Sequence, residues 1–117
     1  ILPCPAYKHR AIMQLFNVTP EVIDDPKYDK IFKEASALDH IKADAPPTLL
    51  IYNSREPLDE TSSPGIGLHH PALGDPIREK LDKLGIPCEL IVLKKGDDVY
   101  LEQGRHIVRF FKKHGKF

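Results

Sequence analysis

The order of elements in this sequence predicts an α/β fold built on a parallel sheet. Three observations carry that expectation. Thr48-Leu49-Leu50-Ile51-Tyr52 and Cys88–Leu93 are short, nearly continuous apolar runs bounded by turn residues, which is how strands buried on both faces read. Between them Asp75-Pro76 caps a helix whose apolar positions Ile77, Leu81 and Leu84 share one face; Gly85 ends it, and Pro87 lies two residues beyond. A further helix, Gln103–His114, follows the second run. Strands alternating with capped amphipathic helices imply parallel strands joined by right-handed crossovers.

Taken in order, the first 20 residues are irregular, with a short helix at Ala11–Phe16. Thr19-Pro20 reads as an N-cap followed by proline at the first helical position, and Asp25-Pro26 repeats the signal. After it Tyr28, Ile31, Phe32 and Ala35 fall at i, i+3, i+4, i+7, one face of a helix. The loop Asp39–Pro47 closes with Pro46-Pro47, which cannot continue a helix. Asn53–His70 reads as one long loop rich in Ser, Pro and Gly, and Lys94–Tyr100 as a shorter one. In the last helix Ile107, Val108, Phe110 and Phe111 are expected to face inward, with Lys112, Lys113 and His114 suiting the C-terminal end of its dipole.

A chain of 117 residues, 41% hydrophobic and 29% charged, has the size and composition of one small domain or of a piece of a larger one, not of a disordered tail. Seventeen basic residues offset seventeen acidic ones, so no global field draws in nucleic acid or anionic membrane. No run of about 18 apolar residues exists to span a bilayer. Cys4 and Cys88 match neither a zinc pattern nor a disulfide framework; two buried thiols are the commoner outcome, one disulfide the alternative. The opening Ile1-Leu2-Pro3-Cys4-Pro5 has no initiator Met and no signal-peptide pattern, so the chain reads as beginning mid-protein. An energetic argument points the same way. Two parallel strands apolar on both faces leave both edges unpaired, so the sheet needs strands from an N-terminal portion of a longer protein or from a second copy.

Three segments carry a family resemblance: ALDHIKADAPPTLLIYNSREPL, PIREKLDKLGIPCELIVLKKGDD and IVRFFKKH. Their order and spacing over residues 36–114, about two-thirds of the chain, resemble the last stretch of the α/β-hydrolase fold of esterases and lipases. Residues 1–35 are not anchored by a motif. The resemblance implies that residues 1–117 form the C-terminal segment of a single three-layer α/β/α domain, incomplete in this chain. It also implies a parent that hydrolyses a carboxylic ester, on decorated carbohydrate or a small acyl substrate, through an acyl-enzyme and without a cofactor.

That chemistry needs a nucleophile, an acid and a histidine in chain order. No G-x-S-x-G elbow occurs: Ser36, Ser54, Ser62 and Ser63 all lack the flanking glycines, and the nucleophile would lie upstream. In Asn53-Ser54-Arg55-Glu56-Pro57-Leu58, Glu56 occupies the position that the resemblance gives the triad acid; the alternative is an exposed loop carboxylate paired with Arg55. In Gly96-Asp97-Asp98-Val99-Tyr100, Asp98 stands where the resemblance expects the histidine. A carboxylate of ordinary pKa near 4 is a poor general base for serine at neutral pH. His69 and His70 are substitute bases that would break the usual chain order, or else polar residues fixing the long loop. His106 is a further substitute, while His9, His40 and His114 read as surface or packing residues. No metal site is expected, because His69-His70 and Asp97-Asp98 lack metal-ligand spacing. Two alternatives stay open beside the hydrolase fragment: a non-catalytic scaffold of the same fold, and a small self-standing domain that dimerises.

Overall fold

The computed structural model describes residues 3–115. A 3-10 turn at Ala6–Lys8 leads into α1 (Arg10–Leu15), where the predicted short helix falls. His9 starts it by accepting the Ala11 N–H on Nδ1 at 3.2 Å. Thr19-Pro20 begins only one turn, with the Val22 and Ile23 N–H groups donating to the Thr19 carbonyl. The turn cannot lengthen, since Asp25, preceding Pro26, is extended at ψ 124°. Asp25 instead caps a 3-10 turn at Pro26–Tyr28 that runs straight into α2 (Asp29–Ala35). The face predicted for α2 exists but is thinly covered: Phe32 stacks edge-on against Phe16 at 5.0 Å, and Ile31 stays 44% exposed. A short α3 (Ala37–His40) precedes the proline-closed loop.

The two strands fall where the apolar runs are: β1 is Thr48–Tyr52 and β2 is Cys88–Val92. They pair parallel in register Thr48↔Cys88 to Tyr52↔Val92. The sheet of the described residues has these two strands only. Burial departs from expectation, because every residue of both strands is half-buried rather than fully buried on both faces. The cause is geometric, since two strands are too narrow for a helix on each face to seal.

Between the strands, the predicted Asn53–His70 loop contains α4 (Pro64–Leu68), capped by Ser63, and a 3-10 turn at Pro71–Leu73 follows it. Two glycines within five residues hide α4 from a propensity reading. Gly67 allows α4 to lie against the N-terminal segment, where an added Cβ would meet Cys4 Sγ. Next comes α5 (Asp75–Lys83), with Leu81 in its last turn only 1% exposed. Its end is a Schellman turn: Gly85 sits at φ +71°, Gly85 N–H donates to Asp82 and Ile86 N–H to Leu81. Leu84, expected on the buried face, is 40% exposed.

The last helix, α6 (Val99–His114), starts four residues before the predicted Gln103 because Asp98 is its N-cap. Of the four residues expected to face inward, only Phe110 is buried; Ile107, Val108 and Phe111 are 42%, 53% and 52% exposed. Those four span more of the helix circumference than a two-stranded sheet can cover. Helices α5 and α6 lie on opposite faces of the sheet. Leu90 approaches Gly74 at the start of α5, while its neighbour Glu89 reaches Arg109 and Lys113 of α6. Cys4 and Cys88 are both free thiols, the first buried and the second half-buried. Among the described residues no helix is long and apolar enough to cross a membrane.

Candidate functional site

Because β1 and β2 run parallel, the loops that follow them leave the sheet side by side, the usual place for a site in an open α/β sheet. The loop after β1 carries Glu56, His69 and His70; the loop after β2 carries Asp98.

His70 is 8% exposed and uses both ring nitrogens. Nδ1 accepts the Ala72 N–H at 3.1 Å, which fixes the proton on Nε2, and Nε2 donates to the Glu56 carbonyl at 2.7 Å. The histidine thus starts one turn and staples the far side of the loop to it. Glu56 contributes its backbone to this bond, while its side chain is exposed and makes no hydrogen bond or ion pair within the described residues. To serve as a base, His70 would have to give up one of its two bonds.

His69 is exposed at the end of α4. It lines a cleft of about 310 Å³ with Ile51, Asn53, Ser54, Ile66 and Gln103, whose amide donates to Asn53 Oδ1 at 3.2 Å. Ser54 and His69 share this cleft without a hydrogen bond between them, so no activated nucleophile is assembled. Neither Glu56 nor Asp98 lines it. Asp98 accepts the Leu101 N–H at 3.0 Å and so opens α6, the job of an N-cap carboxylate. His106 lies further along α6 and accepts from Arg109 at 3.1 Å.

Two features of the site escaped the sequence reading. Arg55 clamps Asp75 with two bonds of 2.8 and 2.9 Å, tying the Glu56 loop to the start of α5. The guanidinium holds the Asp75 carboxyl below the usual carboxylate range and is itself raised by the pairing. Asp75 therefore does not cap α5 with its side chain, as Asp75-Pro76 had suggested. The second is Glu89, the single charge inside either strand. Burial works to raise its carboxyl, but Lys113 and Arg109 outweigh that and hold it lowered. A charge amid an apolar run, with Arg109 and Lys113 four apart on the last helix, was the available signal. On the opposite face of the sheet, burial raises the Tyr52 phenol, whose hydroxyl lies against Gly74.

No group of three or more His, Cys, Asp or Glu able to hold a metal occurs among the described residues. The arrangement has an acid, histidines and hydroxyls at one end of a sheet, but no donor–acceptor relay among them. Comparison with protein-family models, curated proteins and solved structures found no match.

Proposed function

We propose that this chain is the C-terminal segment of an α/β-hydrolase-like protein, a three-layer α/β/α domain completed by an N-terminal portion, and that the parent hydrolyses a carboxylic ester. The observation that carries the reading is the order of β1, α5, β2 and α6, with both strands parallel and the loops of Glu56 and Asp98 leaving the same end. In this reading Glu56, exposed on a loop pinned by His70 and by the Arg55–Asp75 clamp, is the triad acid. The nucleophile lies upstream, and the base is supplied by His69 or by a residue outside the chain. Alone, the chain has no esterase activity.

One observation favours the second reading, a non-catalytic scaffold of the same fold. Asp98 stands at the histidine position and has structural work as the cap of α6. Assay of the intact protein on short-chain p-nitrophenyl esters separates the two. Hydrolysis lost in Glu56→Ala, with folding retained, supports the enzyme. The absence of any turnover sinks it and leaves the scaffold.

A further inference from the structure

Helix α6 carries a second apolar surface on the side away from the sheet. Phe110, its one buried residue, and Gln103, which donates to Asn53, mark the inward face. Roughly opposite them Tyr100, Gly104, Val108 and Lys112 form one row of residues spaced by four, and Leu101, Arg105 and Arg109 form the row beside it. The space between the rows is a groove of about 620 Å³, and every residue of both rows is exposed. Strands added in the plane of the sheet would lie beneath α6 and leave this groove open.

Rows spaced by four are the ridges with which helices interlock, and the groove between two of them takes the ridge of another helix. Gly104 stands at its middle. Nothing lies within 4 Å of where a Cβ on Gly104 would be, so no contact among the described residues calls for a glycine, which is a poor helix former. What the missing side chain provides is depth, letting a second helix approach the backbone of α6. The charges along the groove are all of one sign, since neither row holds a carboxylate. Arg105 and Arg109 each spend one nitrogen on an acid outside the groove, Glu102 and Glu89, and keep further N–H donors. Lys112 has no ion pair within the described residues.

We infer that this groove docks an acidic amphipathic helix of a second protein. Its small or apolar residues, along one row spaced by four, seat between Leu101 and Val108 over Gly104, and its carboxylates meet Arg105, Arg109 and Lys112. A second copy of α6 fits poorly, because it would bring the same cations to the same place. A lipid surface fits poorly too. It rewards cations on both flanks of an apolar stripe, whereas here they stand on one flank and Tyr100 on the other. The inference goes beyond ester hydrolysis and holds whether or not the parent is an enzyme.

Titration of the intact protein with a stapled helical peptide of about five turns tests it, the peptide carrying Ala and Leu along one row and Glu on the flank. Fluorescence anisotropy should show it binding about tenfold tighter than the same peptide with Gln for Glu, a margin that shrinks as salt is raised. Gly104→Leu, which fills the groove, should abolish binding while the denaturant midpoint holds or rises, since leucine is the better helix former at an exposed site. Arg105→Glu combined with Lys112→Glu should bring the Glu peptide down to the affinity of the Gln peptide. That pair keeps the test open should Gly104→Leu unfold the chain. No binding, equal affinity for the two peptides, binding that survives Gly104→Leu, or preference for vesicles of phosphatidylserine and phosphatidylcholine over the peptide would each overturn the proposal.

Discussion

The loop that leaves β1 and the loop that leaves β2 begin side by side but are held by opposite means. The first is long and is pinned from within, by buried His70 spanning Glu56 and Ala72, by Gly74 against Tyr52 and Leu90, and by the Arg55–Asp75 clamp. The second is a short turn, tied by Asp97 to the Lys94 N–H and ended by Asp98 on the first turn of α6. A buried polar group is held by every bond it makes, because water cannot replace them; an exposed cap competes with water and is worth less. At its buried anchors, His70 and Gly74, the β1 loop should therefore respond more strongly to substitution than the β2 loop.

Substitutions at four positions in the intact protein sharpen or break that contrast, each read as a shift in denaturant midpoint. His70→Ala should be the most damaging, at about 3 kcal/mol, because it orphans the Glu56 carbonyl and opens a cavity. A loss no larger than that of an exposed residue would show that the β1 loop is not pinned. Gly74→Ala should cost about 2 kcal/mol, since its Cβ would stand 2.6 Å from Tyr52 Oη and 3.1 Å from Leu90 Cδ1, and both must shift. Asp98→Ala should cost about 1 kcal/mol, the ordinary worth of an N-cap, and Asp98→Ser should restore most of it. Were Asp98 instead the stronger of the two sites, the comparison would fail.

The smallest effect belongs to Arg55→Gln, under about 1 kcal/mol, because both partners of the clamp are nearly half exposed. It carries a pH signature. The folded carboxyl of Asp75 is held below its unfolded value, so the pair's contribution is present above the unfolded pKa and fades as pH falls through the folded one. Titration of stability below about pH 4 should show a small, salt-sensitive loss in the unmodified protein that Arg55→Gln lacks.

Much of the scaffold was legible because its signals are local. Both strands, α5 with its Gly85 stop and the Asp25-Pro26 start each follow from a few adjacent residues. What was missed depends on distant partners or on competing uses of one residue. Asp98, noticed only as standing where a histidine was expected, is the reason α6 begins early. The bond from His70 to Glu56 spans 14 residues and has no sequence signature, so the histidine could be noticed but not placed. Strand burial was overestimated because apolar composition reports what a strand needs covered, not what the neighbouring chain covers. The excess on α6, where Val108 and Ile107 stay exposed, has the same origin.

The central claim is that these residues carry an unfinished sheet, and urea unfolding of the isolated 117-residue chain tests it most directly. A lone two-stranded sheet is marginal at best, so the account predicts a broad, weakly cooperative change without a native baseline. A sharp transition of a stable monomer, with a midpoint independent of protein concentration, would contradict it.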